Sequence, residues 1–243
     1  MFRHIGTRRT YRHNVSIATL LSLNAGFTNA AGFLGFAVLT TNVTGHAAFF
    51  AERLVMEDWK ASRVIALWMM LFLGGAFCSS LIMNHIGRNR RFSYVIPLLL
   101  EIIVFLLITL FGYRYHHSLV AREIFAGSLL FITGMQNALV TMVSGAQVRT
   151  THLTGTFTDL GIELAQLYKK RNMRDGELYR RVKLRGIIIF GFLSGALAGA
   201  YLFHYWSYHA FLVPVALLLF ALFYDIFRIH IKRYYHRPLH RGG

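Results

Sequence analysis

Four long segments of the chain contain no Asp, Glu, Lys or Arg, and they constrain the fold more than any other feature. They are Val15–Phe50, Val64–Gly87, Ile124–Val148 and Gly186–Tyr224. About 20 residues of α-helix cross a bilayer core that is about 30 Å thick, so each segment is long enough to span a membrane. Only 15% of the 243 residues are charged, against about a quarter in soluble domains. The sequence therefore predicts an integral membrane protein and argues against a soluble enzyme or a disordered chain.

Six helical spans in a single membrane domain, residues 1–243, account for the apolar segments. Gly186–Tyr224, with 39 residues, is too long for one helix, and the aromatic segment His204–His209 suits a turn at the lipid headgroups. The expected fold is an all-α, polytopic integral membrane protein with transmembrane helices at Ser16–Phe36, Val64–Ile86, Tyr94–Tyr113, Glu123–Val143, Gly186–Phe203 and Phe211–Phe227.

The Lys and Arg residues lie mainly on one side of these spans. Because successive spans cross the membrane in alternating directions, the segments between them lie on alternating sides. On this basis 21 of the 26 Lys and Arg residues lie on the same side as both termini. They are found in the tails 1–14 and 228–243, in Arg88–Arg91, and in Arg149–Arg185, which contains the basic loop 169–185. Basic residues favour the cytoplasmic side, so both termini are expected in the cytoplasm. This pattern explains the net charge of +16 without a nucleic-acid partner, and it favours contact of the basic loops with anionic lipid.

The two halves of the chain, about residues 15–113 and 121–228, share four short motifs in the same order. Gly26-Phe-Thr-Asn29 matches Gly134-Met-Gln-Asn137, Thr40-Thr41 before Thr44-Gly45 matches Thr150-Thr151 before Thr154-Gly155, Phe72-Leu-Gly-Gly-Ala76 matches Phe192-Leu-Ser-Gly-Ala196, and Pro97 matches Pro214. Three spans in each half is an odd number, so the second half is expected to lie inverted in the membrane. Inverted three-helix repeats recur in secondary transporters, which bind substrate at the repeat interface.

The first charge-free segment is about 16 residues longer than one span requires. We therefore expect a short re-entrant or broken helix after span 1, at Ala47–Val55, and another after span 4, at Phe157–Tyr168. Their N-termini, at Gly45 and Gly155, are predicted to approach each other near the membrane midplane. Helix N-termini attract polar or anionic groups. The alternative is that Thr44 and Thr154 cap surface helices at the headgroups.

The segments Gly134-Met-Gln-Asn-Ala138 and Arg149-Thr-Thr-His-Leu-Thr-Gly-Thr-Phe-Thr-Asp-Leu-Gly161 resemble the YoaK family of bacterial membrane proteins, which carry a domain of unknown function. The resemblance covers nearly the whole chain. The family usually has Asp at the position of Asn29 and Thr-Gly-Asn where this chain has Thr44-Gly45-His46. The resemblance implies a six-span protein of the bacterial cytoplasmic (inner) membrane, and it implies no particular substrate.

Polar residues at matched places in the two halves form the candidate site. The substrate-binding candidates are Asn29, Thr44, Gly45, His46, Gln136, Asn137, Arg149, Thr151, Thr154, Gly155 and Asp159. Glu101, a carboxylate inside a span, and Asp159 are the candidates for proton or ion coupling. The alternatives are that the amides only join helices, and that Glu101 pairs with Arg88, Arg90 or Arg91 at the headgroups.

The function that these features favour is a small secondary transporter or exporter of an unidentified polar or anionic small molecule. One alternative is a membrane scaffold whose polar residues only hold helices together. Another is an intramembrane enzyme, for which the candidate catalytic residues are His46, His152 and Asp159. No cofactor or metal is expected, because the single Cys78 and the scattered histidines lack metal-site spacing and no phosphate loop occurs. A homo-oligomer is compatible with the sequence.

Overall fold

The computed structural model describes residues 10–87, 93–113, 119–169 and 176–235, with side chains up to Tyr224. Within these ranges the chain is helical and contains no β-strand. The helices are α1 Tyr11–Phe36, α2 Val43–Val55, α3 Trp59–Ile86, α4 Val95–Phe111, α5 Leu119–Ser144, α6 Leu153–Lys169, α7 Gly176–Trp206 and α8 Leu212–Tyr235, with a 3₁₀ turn Ser207–Phe211 between α7 and α8.

Four stretches are long and apolar enough to cross a membrane, namely Tyr11–Phe36, Trp59–Ile86, Val120–Ser144 and Gly176–Tyr224, and α4 is a shorter apolar helix. Large apolar side chains point outward from them: Phe77 is 64% exposed and Phe190 75% exposed. Soluble proteins rarely expose contiguous surfaces of this kind. The protein is therefore an all-helical membrane protein.

Several predicted helix boundaries are wrong. α2 begins at Val43 instead of Ala47, because the Asn42 side chain caps it, and α6 begins at Leu153 instead of Phe157. The predicted basic loop 169–185 is helical from Gly176 onward as the start of α7. Residues 1–9, 88–92, 170–175 and 236–243 lie outside the described residues, and with them the predicted pairing of Glu101 with Arg88, Arg90 or Arg91.

Each half of the chain packs mainly against the other half. α1 lies along α7 and α3 along α5, while the short helices α2 and α6 pack on α3 and α7. α4 packs on α8, and α1 crosses α5. The buried core between them is aromatic and aliphatic, and its largest fully buried side chains include Phe27, Phe105, Leu129 and Phe211.

Glycines allow the two long helix pairs to touch backbone to backbone. A Cβ atom on Gly26 of α1 would overlap the carbonyl oxygen of Phe192 in α7. A Cβ atom on Gly134 of α5 would overlap the carbonyl oxygen of Phe72 in α3. Small residues at such crossings are the usual means by which membrane helices approach closely, so α1–α7 and α3–α5 form two tightly joined pairs.

Candidate functional site

After α1 the chain turns back toward the middle of that helix. Ala37 adopts a left-handed conformation (φ 55°), and its N–H donates to the Phe33 carbonyl. Thr41 then donates from its N–H and its Oγ1 to the Asn29 Oδ1, at 3.1 and 3.0 Å. Asn29 lies seven residues before the end of α1 at Phe36, which is about 10 Å along a helix axis. The segment 37–41 therefore re-enters the molecule beside α1.

α2 begins at the end of this re-entrant segment. The Asn42 Oδ1 accepts from the Gly45 N–H at 3.0 Å and from the Thr44 hydroxyl at 2.8 Å. Asn42, and not Thr44, is thus the residue that caps the helix. The remaining N–H groups of the first turn of α2 give this end of the helix a partial positive charge.

The chain makes an equivalent turn after α5. We call residues 37–42 and 145–152 the two re-entrant segments. Gly145 and Ala146 both have left-handed conformations, with φ of 63° and 62°. The Ser144 Oγ accepts from the Val148 N–H at 3.0 Å and so closes the turn. α6 begins at Leu153, and the His152 carbonyl accepts the Thr156 N–H at 3.0 Å.

One cavity of about 590 Å³, which we call the central cavity, lies between the starts of α2 and α6. Its lining contains amides, hydroxyls, one imidazole and apolar side chains, and no Asp, Glu, Lys or Arg. The lining residues are Asn29, Thr41, Asn42, Val43, Thr44 and Phe72 from the first half, and Asn137, Thr151, His152, Leu153, Thr154 and Phe192 from the second.

The lining residues form matched pairs. Every residue from the first half has its counterpart in the second at the place given by the sequence motifs: Asn29 with Asn137, Thr41 with Thr151, Asn42 with His152, Val43 with Leu153, Thr44 with Thr154, and Phe72 with Phe192. The two re-entrant segments therefore face one shared space.

The two asparagines differ in their hydrogen bonds. The Asn29 Oδ1 is occupied by Thr41. The Asn137 Oδ1 is buried and has no hydrogen-bond partner among the described residues. A buried, unpaired amide oxygen is costly, so this atom is available to a donor group of a bound molecule.

Several predicted site residues lie away from the cavity lining. His46 is buried, donates from Nε2 to the Leu39 carbonyl at 2.8 Å and packs edge-on against Trp68. Gln136 is buried and accepts from the Asn24 amide at 3.4 Å. Arg149 is exposed.

Gly45 and Gly155 are not lining residues, but each directly follows a lining threonine, Thr44 or Thr154. Gly45 supplies an N–H to the Asn42 cap, and a Cβ atom on Gly155 would collide with the His152 ring. A side chain at either glycine would have to displace the side chain of Asn42 or His152.

The predicted coupling carboxylates also lie outside the lining. Asp159 forms an ion pair with Arg185 at 3.0 Å, between α6 and α7. Glu101 is 1% exposed within α4, and neither of its carboxylate oxygens has a hydrogen-bond partner among the described residues. His46, His152 and Asp159, the residues of the enzyme hypothesis, do not share the cavity, since only His152 lines it.

Sequence reasoning missed part of the lining. The lining residues that we did not predict as substrate-binding residues are Thr41, Asn42, Val43, Phe72, His152, Leu153 and Phe192. The repeated motif that begins at Phe72 and again at Phe192 was the signal that could have identified this pair, whereas the capping role of Asn42 left no repeated signal, because its counterpart is His152.

Comparison with known proteins agrees with the sequence resemblance. No curated protein and no solved structure matches the chain. The sequence profile of a family described as "Protein of unknown function (DUF1275)" matches residues 17–224, which include all the helices that surround the cavity. This is consistent with a YoaK-like family of unknown function. The chain therefore belongs to the DUF1275 family.

Proposed function

We propose that the protein is a small secondary transporter that binds a polar or anionic small molecule in the cavity between the two re-entrant segments. The observation that carries this proposal is the lining itself, in which matched residues of both halves surround one space. Secondary transporters bind their substrates at the interface of structural repeats, next to broken helices.

Two inverted three-span repeats are part of the proposal, and the helix packing supports them. The α1–α7 contact at Gly26 and Phe192 has its counterpart in the α5–α3 contact at Gly134 and Phe72. The contact of Gly75 with Phe131 has a counterpart in that of Gly195 with Leu23. A two-fold relation between the halves exchanges each contact with its partner. With three spans in each half, such a relation inverts the second half across the membrane.

We infer a cytoplasmic position for both termini from the distribution of Lys and Arg. In a Cys78→Ala background, Ser207→Cys in the 3₁₀ turn is expected to react with an impermeant maleimide on spheroplasts. Lys183→Cys on α7 is expected to react only after lysis. Both positions are exposed. Labelling in the reverse order would contradict the topology and the inverted repeats together.

The chemistry of the lining supports a polar or anionic substrate. Two helix N-termini, each with a partial charge of roughly +0.5, face a space whose lining contains no charged side chain. The side chains of Asn29, Asn137 and the paired threonines add hydrogen-bonding groups on several sides. A small anion gains from both helix ends without an ion pair, and a neutral polar molecule gains from the amides and hydroxyls.

A thermal-shift screen tests binding, because a ligand of the folded state raises its apparent stability. The purified protein is screened against mono- and dicarboxylates, inorganic anions, amino acids and polyols. A compound that stabilises the wild type is expected to lose its effect in the double variant Asn137→Ala/Thr154→Val. The control is Thr109→Val, which removes a hydroxyl bonded within α4, away from the cavity. The compound is then assayed for saturable uptake into proteoliposomes, and unchanged binding in the well-folded double variant would refute the central site.

Coupling to protons is assigned to Glu101 in this proposal. Its carboxyl is buried with no partner among the described residues, and an intramembrane carboxylate of this kind is typical of proton pathways. Glu101→Gln keeps the shape but removes the proton-carrying group. We expect substrate binding to persist and pH-driven uptake to be lost; full pH-driven uptake in the variant would remove Glu101 from the mechanism.

A further inference from the structure

A second cavity, of about 450 Å³, lies at the other end of α1 and, unlike the first, is lined by charged side chains. It is lined by Tyr11, Asn14, Gln147, Glu177, Arg180, Arg181, Leu184 and Arg185. Three guanidinium groups thus face one carboxylate in this lining. None of these residues lines the central cavity, so the two spaces are separate sites.

The cavity is formed where three elements meet. α1 contributes Tyr11 and Asn14, the turn after α5 contributes Gln147, and the first three turns of α7 contribute the arginines. The Asn14 amide, which is 4% exposed, donates to the Gln147 Oε1 at 2.5 Å and so ties α1 to this turn. The wall that faces the arginines is therefore held in place by a partly buried hydrogen bond.

The arginines are only partly neutralised. Arg185 pairs with Asp159 at 3.0 Å, and Arg181 approaches the Glu163 carboxylate at 3.6 Å. Arg180 has no ion pair with a described residue and instead lies over the Tyr11 ring, 5.9 Å from its centroid. The Tyr11 hydroxyl is buried and has no hydrogen-bond partner among the described residues. Among the described residues, the cavity thus holds a guanidinium without an ion pair beside a hydroxyl without a hydrogen-bond partner.

The level of the cavity in the membrane indicates what it meets. The charge-free stretch of α7 begins at Gly186, directly after Arg185. The last charged residue before the charge-free run of the first half is Arg12, two residues before Asn14. The cavity therefore lies where the apolar spans end, which is the level of the lipid phosphates. Arginine is the side chain best suited to bind phosphate oxygens, because its planar guanidinium donates two parallel hydrogen bonds.

We propose that this arginine cavity is a binding site for a phosphate group, with Arg180 and Arg181 as the main donors and Tyr11 as a further donor. The phosphate belongs either to an anionic phospholipid headgroup or to a soluble phosphate compound, and the chemistry is the same in both cases. Basic pockets between membrane helices bind phospholipid headgroups in this way. This site is independent of the transport proposal.

The test uses the purified full-length protein after removal of bound lipid. Native mass spectrometry measures the binding of phosphatidylglycerol and of phosphatidylcholine, and a thermal-shift titration measures the binding of inorganic phosphate. Arg180→Gln is expected to weaken binding about fivefold, the effect of one cationic charge at the membrane surface. Arg180→Lys keeps the charge and is expected to recover part of the affinity. Lys183→Gln is the matched control, because Lys183 is exposed on the same helix and does not line the cavity.

The outcomes distinguish a lipid headgroup from a soluble phosphate compound, and they distinguish this site from the central cavity. Preference for phosphatidylglycerol with no response to inorganic phosphate assigns the site to lipid. Competition between phosphate and phosphatidylglycerol, lost in Arg180→Gln, assigns it to phosphate compounds in general. Binding that Arg180→Gln leaves intact, or that Lys183→Gln weakens equally, would overturn the site. The Asn137→Ala/Thr154→Val variant is expected to bind these probes as the wild type does, so failure here leaves the central cavity untouched.

Discussion

The two halves of the protein place the same residue types around the central cavity, yet they do not form the same hydrogen bonds. In the first half the Asn29 amide oxygen holds Thr41 through two hydrogen bonds. In the second half the Asn137 amide oxygen is buried and without a hydrogen-bond partner among the described residues, although Thr151 lines the same cavity. The shared sequence pattern thus places matched side chains around one cavity, while the local hydrogen bonds hold Thr41 to Asn29 in the first half and leave the Asn137 Oδ1 without a partner among the described residues in the second.

The largest expected effect tests whether the halves are equally packed. Gly26→Ala and Gly134→Ala each insert a methyl group against a backbone carbonyl, at Phe192 and Phe72 respectively. Overpacking of this kind costs about 1–3 kcal/mol. Equal losses in the free energy of unfolding, measured by SDS titration in mixed micelles, are expected. Gly161→Ala is the control, since nothing lies within 4 Å of its Cβ position, and it is expected to leave stability unchanged or raised.

The next prediction sharpens the difference between the two asparagines. Asn29→Ala leaves the Thr41 N–H and hydroxyl without their acceptor, and this is expected to cost about 1–2 kcal/mol of stability. Asn137→Ala removes an oxygen that has no partner to lose, and a buried unpaired polar atom costs stability, so the unfolding free energy is expected to stay unchanged or to rise. Thermal unfolding without ligand distinguishes the two variants. Equal destabilisation by both variants would show that Asn137 holds its segment through hydrogen bonds as Asn29 does.

A smaller effect is expected from the amide pair that joins α1 to α5. The Asn24 amide donates to the Gln136 oxygen at 3.4 Å, and both residues are nearly fully buried. A double-mutant cycle with Asn24→Leu and Gln136→Leu is expected to give a coupling energy of about 0.6 kcal/mol, as for other hydrogen bonds between membrane helices. Pairing Asn24→Leu with Thr109→Val, which lies in α4, is expected to give additive losses. Additivity in the first cycle would mean that the amides do not interact.

The smallest effect concerns the ion pairs on the two short helices. α6 is tied to α7 by Asp159 and Arg185 at 3.0 Å, whereas beside α2 the pair of Arg53 and Asp58 is 3.9 Å apart. Partly exposed pairs contribute about 1 kcal/mol or less. Asp159→Asn is therefore expected to lower stability slightly at low salt, and not at all in 1 M salt, where the charges are screened. A loss that persists at high salt would assign Asp159 a role other than pairing.

The helices could be predicted from the sequence because their cause is local. Charge-free segments and their lengths locate α1, α3, α5 and α7, and the surplus length of the first segment indicates the short helix α2. The start of α2 was misplaced because a single capping side chain, Asn42, decides where this helix begins. A cap depends on one hydrogen bond, and an apolar pattern does not record it.

The candidate site was only partly predictable, because its lining depends on contacts between distant segments. The matched motifs indicated Asn29, Asn137, Thr44, Thr151 and Thr154, which do line one cavity. His46 directly follows the Thr44-Gly45 motif, but its ring lies against Trp68 and does not line the cavity. Which face of a short helix turns inward depends on its packing against α3, and the sequence of α2 alone does not specify that packing.

The backbone contact of α1 with α7 has a consequence for how the protein is made. α1 leaves the ribosome before α2 to α6, and α7, the helix that it packs against, is synthesised only after them. During insertion, the glycine face of α1 around Gly26 is exposed to lipid or to an insertion factor until α7 arrives. A truncated chain that ends before α7 cannot bury this face and is a natural target for membrane quality control. Separately expressed halves should accumulate only when both are present in the same membrane.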